Sequence, residues 1–386
     1  MGLSVQPSFE AIEKLSRTRD ADLVGRTLVD SALNRGRGAQ SNAEGRFERH
    51  NREAFADGWA DENPAAVFET VEHIERAKTI ISKNQSPDLE FDRSINPYRG
   101  CAHGCPYCYA RPTHAYLGHS AGLDFERDLY IKVNAAELLK KELAQARYKP
   151  RLINLGANTD PYQPLERKHR ITRSVLEVLT EARHPVVIVT KSALVVRDLD
   201  LLTDLARDNL VRVALSVTSM DHILSRKLEP RASSPAKRLE AIRLLSEAGV
   251  PVQVMASPMI PAINDMELER ILDAAAAQGA KYASMILLRL PLEVREIFRE
   301  WLLTHFPNKV SHVMELVRGA RGGKDNDSRF GSRFVGEGAY ATILQQRFTL
   351  AAKRFGLSTR MTPLRTDLFR MPQAESAQLD LFGSSE

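Results

Sequence analysis

From Leu89 to His305 the apolar positions switch repeatedly between two periods, short β-branched runs and longer stretches with helical spacing. The pattern predicts a strand near 90–96, then a helix over Asn134–Arg147. Strand Arg151–Gly156 precedes helix 171–183, and strand Val186–Thr190 precedes helix Asp198–Asp208. Strands Val211–Val217, Pro251–Ala256 and Lys281–Leu288 precede helices Pro235–Ala248, Asp265–Gln278 and Leu292–His305. Strands alternating with helices predict an α/β protein with a parallel sheet and right-handed crossovers. The runs Val186-Val187-Ile188-Val189 and Met285-Ile286-Leu287-Leu288 are apolar throughout, as strands covered on both faces require. Six units suit a partial (β/α)6 barrel; a doubly wound open sheet is the alternative. In both, function gathers at the carboxyl ends of the strands.

The flanks lack this repeat. Residues 1–85 read as a largely extended N-terminal arm. Within it, Arg35 to Asn42 is Gly/Arg-rich and polar, suited to wrapping the domain or touching nucleic acid. Glu69–Ser82 has helical spacing at Val71, Ile74, Ala77, Ile80 and Ile81, which predicts one helix. The core domain is expected over 86–306 and a basic helical extension or lid over 307–370, with a helix from Ala339 to Phe355. Residues 371–386 are expected to be a disordered tail.

An apolar content of 43% supports a substantial core. No stretch is long and apolar enough to cross a bilayer and no secretory signal is legible, so a cytoplasmic location is expected. The net charge is +5, unevenly spread. Between Arg318 and Arg370 stand eleven Lys or Arg against four Asp or Glu. Such a local excess fits phosphate neutralisation along DNA or another nucleic acid, or an Arg-rich solvated face. Arg329-Phe330-Gly331-Ser332-Arg333-Phe334 interleaves cations with rings, suited to stacking on bases or to closing the barrel as a lid.

All three cysteines, Cys101, Cys105 and Cys108, lie within one loop directly after the first strand. An odd count at such short spans makes no disulfide framework. Gly100 and Gly104 let that loop turn tightly around a metal centre. On a four-iron cube three cysteines leave one iron open, and an incomplete shell invites substrate chemistry. Zinc, completed by His103, His114 or His119, is the alternative, but the second knuckle of a zinc site is missing.

The spacing C-x3-C-x2-C with aromatic Tyr107 before the last cysteine resembles the radical S-adenosylmethionine (SAM) superfamily. The resemblance implies a partial barrel of the radical SAM type. It also implies a [4Fe-4S] cluster on Cys101, Cys105 and Cys108, whose free iron chelates SAM, and reductive cleavage of SAM to a 5′-deoxyadenosyl radical. An electron donor such as flavodoxin or ferredoxin is then expected.

The strand ends supply the remaining candidates. After strand two comes Asn158-Thr159-Asp160, chemically suited to the SAM amino group. Lys191 abuts a buried strand, where its ammonium needs an anion such as the SAM carboxylate. Ser216 and Thr218 share one side of strand four and could bond the ribose of SAM or cap the next segment. Glu229 and Arg238 put opposite charges near the same mouth. Ser257-Pro258-Met259-Ile260-Pro261 offers an apolar wall for adenine, with Met259 as its contact. Tyr107 and Tyr109, which flank Cys108, match the tyrosines of the superfamily's DNA-repair lyases, a resemblance that implies Tyr107 beside the cofactor and Tyr109 as a catalytic hydrogen relay.

These runs, with Thr190-Lys191, Ser216, Glu229-Pro230 and Arg238, are similar in order and spacing to the spore photoproduct lyase group, DNA-repair enzymes of the superfamily. The likeness spans roughly residues 90–356 and is strongest to a bacterial branch sharing Asn-Pro-Tyr-Arg-Gly-Cys and Asn-Thr-Asp-x-Tyr-Gln-Pro. One departure stands out. The lyase carries a fourth cysteine in the strand-two loop, where this chain reads Gly156-Ala157-Asn158-Thr159. DNA repair or modification is therefore the first expectation. Radical modification of a peptide or small molecule, or a metal-bearing adaptor, are the alternatives. Gln378-Leu379-Asp380-Leu381-Phe382 resembles the short peptide with which bacterial repair proteins dock on the DNA sliding clamp.

Overall fold

Ten strands fall into two sheets in a computed structural model that describes residues 9–23, 36–43, 46–47 and 69–372. The strands are β1 (Val71–Glu75), β2 (Ile81–Lys83), β3 (Arg93–Ile95), β4 (Tyr98–Arg99), β5 (Asp128–Lys132), β6 (Ile153–Leu155), β7 (Val186–Thr190), β8 (Val211–Ser216), β9 (Val252–Met259) and β10 (Tyr282–Leu287). The larger sheet runs β10-β9-β8-β7-β6-β3-β2. Its first six members pair in parallel, and β2 closes the far edge antiparallel to β3. These six are the strands the apolar runs predict, arranged in sequence order as a partial (β/α) barrel.

The order follows from burial. Every residue of β8 is buried, Arg212 and Ser216 included, and four of five in β7 are. The covering helices present apolar stripes, such as Ile171, Val175, Leu176, Val178 and Leu179 on helix Ile171–Glu181. Ser234 starts helix Pro235–Glu247 by accepting a hydrogen bond from Lys237 N, with Pro235 in the first turn.

The helix expected over Glu69–Ser82 is not formed. Val71–Glu75 is instead β1, paired parallel with β5, and Ile81–Lys83 is β2. Two side chains from elsewhere take the backbone groups a helix would use. Asn134 bonds both Ala77 N and Ala77 O at 3.0 Å, and the Glu142 carboxylate accepts from Ile80 N (2.6 Å) and Ile81 N (3.1 Å). Tertiary pairing overrides a local apolar spacing that was too short to decide.

Parts of the arm are built into the domain. Phe9–Ser16 is a helix, and buried Asp20 bonds Arg299 (3.0 Å) and Arg318 (2.7 Å). Between Gly38 and Ala43 the arm bonds Glu126, Asp124 and Ser120, and Gly38 lies against Gly104 of the cysteine loop, so this part of it packs on the domain. Arm residues 1–8, 24–35, 44–45 and 48–68 and the clamp-like peptide Gln378–Phe382 lie outside the described residues. Two large apolar cores result. One fills the barrel; the other joins Cys105 and Tyr107 to Leu224, Ile260, Phe298 and Trp301, so the cysteine loop roofs it.

Candidate cluster and SAM site

The loop between β3 and the turn at Arg111 carries the three thiols at the carboxyl face of the barrel. Cys101 and Cys105 are buried and Cys108 is half-buried. All three lie within electrostatic reach of one another. Burial pushes the thiols of Cys105 and Cys108 up, Cys105 well above its ordinary value, so a cationic partner is needed to hold them as thiolates. Among the described residues no three His, Cys, Asp or Glu side chains gather closely enough for a single metal ion. On a cube each thiol takes its own iron, so the sulfurs need not converge on a point. The donor chemistry, three thiols in one loop, fits a multi-iron group. Of the histidines weighed for zinc, His103 faces Asp160, while His114 and His119 stack 5.2 Å apart in a separate aromatic group with Tyr130.

The loop's shape is imposed from three sides. Gly100 (φ 71°) and Gly104 (φ 71°) adopt left-handed backbone that favours glycine. From the β6 loop, Gln163 accepts from Ala102 N at 2.9 Å and donates to Gly100 O at 3.2 Å. Asn96 Oδ1 accepts from Asn158 N (2.8 Å) and Thr159 N (3.3 Å), and the Thr159 hydroxyl donates to Tyr98 O at 2.9 Å. The two sequence runs shared with the lyase-like branch are thus two halves of one clamp. From below, fully buried Arg111 donates to Cys105 O (2.8 Å), Ala121 O (3.0 Å), Gly122 O (2.8 Å) and the Glu126 carboxylate. Glu126 also accepts from Gly38 N (2.9 Å) and Ala39 N (2.8 Å). Outside, a side chain on Gly38 would put its Cβ 1.6 Å from Gly104 O, so the arm touches the loop backbone to backbone. Gln163, Arg111 and Glu126 were not singled out from sequence. Gln163 lay inside a quoted run, whereas the other two act over distances that no local signal encodes.

The predicted site residues divide. Asp160 is saturated: it accepts from Thr190 Oγ1 (2.7 Å), Lys191 N (2.7 Å) and Tyr162 N (2.9 Å) and lies 3.3 Å from His103 Nδ1. Burial opposes ionisation of both, yet each keeps the other charged, the carboxyl below and the imidazole above its usual range. Thr218 gives its hydroxyl to Glu229 at 2.5 Å, and the carbonyl of Ser216 accepts from Arg238 at 3.0 Å. Met259 is fully enclosed in the barrel core. The side chains of Asp160, Thr218 and Met259 are thus taken up by the scaffold, whereas Ser216 gives Arg238 its backbone carbonyl and not its hydroxyl. Two others are open. The Lys191 ammonium has no hydrogen-bond partner among the described residues and stands 5.9 Å from the Tyr107 ring centroid. The side chain of Asn158 has one long bond, 3.3 Å to Thr113.

Beneath Tyr107 a buried network closes the site. Glu229 accepts from the Tyr107 hydroxyl, Thr218 and the Arg238 guanidinium, all fully or nearly fully buried. Burial opposes the Glu229 charge, but Arg238 and Lys191 hold its carboxyl below the ordinary range. Tyr109, two residues away, is half-exposed and donates to Ala157 O.

A parallel strand-end face with three thiols in one loop, and an ammonium that makes no hydrogen bond among the described residues, fits a metal cluster beside a cofactor that bears a carboxylate. The sequence profile of the Radical SAM superfamily matches residues 95–275, and the chain belongs to that superfamily. An uncharacterised protein of Mycobacterium tuberculosis is 36% identical over 232 residues, 60% of this chain and 68% of the relative. One of Methanocaldococcus jannaschii is 29% identical over 192 residues, 50% and 69%. In fold the chain is similar to spore photoproduct lyase complexed with dinucleoside spore photoproduct. That likeness has TM-score 0.54 and 18% identity, covering 74% of this chain and 80% of the lyase. The protein is thus a radical SAM enzyme, with a [4Fe-4S] cluster and SAM as its cofactors.

Proposed function

We propose that this enzyme uses SAM-derived radical chemistry on nucleic acid, in DNA repair or modification. When bound, the cluster and SAM supply a carbon-centred radical that takes hydrogen from a substrate. Cys101, Cys105 and Cys108 hold the cluster, Lys191 neutralises the SAM carboxylate, and Asn158 bonds its amino group. Asp160 and Thr218 act by positioning, since their side chains already hold Lys191 N and Glu229, while the Ser216 hydroxyl, which the Arg238 contact leaves aside, bonds the ribose of SAM. Tyr107, fixed by Glu229, packs beside Cys105 and keeps water from the floor. Tyr109, whose ring is half-exposed and whose hydroxyl donates to Ala157 O, is our candidate to exchange hydrogen with a substrate, in a chain that has no spare thiol.

The observation that carries the substrate class is the rim of the mouth. Tyr109 and Phe330 are more than half exposed there, and Phe334 lies between Arg289 (5.0 Å) and Arg333 (4.6 Å). Rings interleaved with guanidinium groups accept unstacked bases. The C-terminal basic excess contributes less than its count suggests. Arg318, Arg329, Arg333, Arg347 and Arg365 pair with carboxylates, and Arg321 is spent on four backbone carbonyls. The fold shared with a lyase that binds a dinucleoside lesion supports the same reading.

Anaerobic reconstitution followed by dithionite reduction tests it. SAM turnover to 5′-deoxyadenosine is expected to rise with DNA or RNA, damaged or intact, and to vanish in Cys105→Ala. Stimulation by cell-extract peptides or metabolites alone overturns the substrate class. A flavodoxin or ferredoxin as electron donor and a cytoplasmic location belong to the same proposal. Among the described residues no helix is long and apolar enough to cross a membrane. Recruitment to the sliding clamp by Gln378–Phe382 rests on the sequence alone, and deletion of that peptide with unchanged clamp affinity removes it.

A further inference from the structure

Arg289 follows β10 on the strand-end face, and the carboxylate within its electrostatic reach, Asp88, is already bonded by Arg333. Its Nε is buried without a partner, and among the described residues its guanidinium makes no hydrogen bond or ion pair. The guanidinium lies over the Phe334 ring at 5.0 Å and within electrostatic reach of Tyr109. Its neighbours are different. Arg333, on the same ring at 4.6 Å, bonds Asp88 through Nε at 2.7 Å, and Arg321 reaches Leu287 O, Leu288 O, Ser332 O and Arg333 O. A cavity of about 620 Å³ opens from the next residue, Leu290. There Arg46 pairs with Glu293 and Arg295 with Glu296, so that wall is internally neutralised.

Partial burial of a guanidinium with no hydrogen-bonded counter-charge is costly, and the cost is relieved by an anion presenting two oxygens to its fork. The SAM carboxylate already has a candidate in Lys191, beside Tyr107 rather than Tyr109. An anion on Arg289 would sit at the open side of Tyr109, next to the cavity and the Phe334 ring.

We propose that Arg289 is the phosphate anchor of the substrate: a phosphodiester or phosphomonoester oxygen docks on its guanidinium and sets the attached sugar or base against Tyr109 and Phe334. This rests on the nucleic-acid reading above only for its phosphate source, a polynucleotide backbone or a free nucleotide. Burial and the nearby Arg333 bring the guanidinium below its ordinary pKa, consistent with a group that gains from an incoming anion.

The test is binding by the full-length, cluster-loaded protein and its Arg289→Gln and Arg289→Lys variants. The probes are a fluorescein-labelled single-stranded oligodeoxynucleotide, the same sequence with a neutral methylphosphonate backbone, thymidine 5′-monophosphate, and SAM. Loss of one charge-assisted phosphate contact in Arg289→Gln is expected to weaken the charged oligonucleotide about tenfold or more. The slope of log affinity against log salt is expected to flatten by about one contact. Arg289→Lys should lose less, and it carries the comparison if Arg289→Gln does not fold. The neutral oligonucleotide and SAM should bind all three proteins alike. Equal oligonucleotide and nucleotide binding by wild type and both variants overturns the anchor while leaving the nucleic-acid reading standing. So does a loss confined to SAM. Arg289-dependent binding of the monophosphate without oligonucleotide binding keeps the anchor and removes the nucleic-acid reading. Wild-type protein that binds neither phosphate probe overturns both.

Discussion

Gln163 closes on the backbone of Ala102 and Gly100, so one amide side chain from the β6 loop grips the chain on both sides of Cys101. Buried hydrogen-bond partners left unmade cost about 1–3 kcal/mol each. Gln163→Leu strands two of them and is expected to lower unfolding stability by about 2 kcal/mol or more in urea titration. It should also reduce the iron retained after reconstitution and desalting. Gln163→Glu keeps the acceptor for Ala102 N but faces Gly100 O with a second oxygen, so it should fall in between. Wild-type midpoint and iron content in Gln163→Leu would show that the loop holds itself.

The buried Glu229–Arg238 pair makes a sharper demand. Removing one charge leaves the other enclosed, at a cost of about 3–5 kcal/mol, whereas replacing both with apolar groups of similar volume is often tolerated. Glu229→Gln alone is expected to be severely destabilised in denaturant. The double variant Glu229→Met with Arg238→Met should recover much of the loss. A double variant as unstable as the sum of the single ones argues against a coupled pair.

Close approach of the arm yields a prediction at a glycine. Gly38→Ala cannot coexist with Gly104 O at the present spacing, so the arm must shift away. Hydrogen exchange at residues 101–108 is then expected to quicken. Gly319, which ends helix Val310–Gly319 and would meet nothing within 4 Å, is the control. Gly319→Ala should leave exchange in the loop unchanged. Equal exchange in Gly38→Ala and wild type would mean the arm merely rests there.

Acid should weaken the fold through His184. Its ring is enclosed, takes the Tyr148 hydroxyl on Nε2 at 2.8 Å, donates from Nδ1 to Pro185 O at 3.0 Å and meets Phe369 edge-on. Burial, with Arg93 nearby, lowers its pKa from 6.5 to about 4. The unfolded chain therefore binds this proton first. Its stabilising contribution is complete above pH 6.5 and is lost as pH falls from there to about 4, on the order of 3 kcal/mol in all. His184→Gln should flatten the stability–pH curve in that window. A curve identical to wild type would place the acid sensitivity elsewhere, for instance at His114 or His305, which burial also lowers to about 4.

The barrel strands were legible because both their faces are covered, which leaves runs such as Val186-Val187-Ile188-Val189 with no polar position to confuse the period. The cysteine motif was legible because all three cysteines of the chain fall in one loop. What escaped was long-range pairing. Helix spacing at Val71, Ile74, Ala77, Ile80 and Ile81 looked apolar on one side, yet Ile74 is largely exposed and the backbone is claimed by Asn134 and Glu142. The basic tail counted as free charge, although Arg318 meets Asp20 across 298 positions and Arg333 meets Asp88 across 245. Thr159 and Asp160 were chosen for their oxygens, and those oxygens are spent on Tyr98, Thr190 and Lys191.

The sheet ends at β10, and what lies beside that strand is the C-terminal segment itself. Phe334 O receives Leu287 N at 2.9 Å, while Ser358 exchanges bonds with Ala283 N and Lys281 O at 3.0 and 2.9 Å. Chains shortened before these residues would bare a row of amides beside apolar side chains, a ready template for another copy. Solubility of the protein is thereby tied to a segment that follows the last strand of the barrel, far along the chain from the cysteine loop.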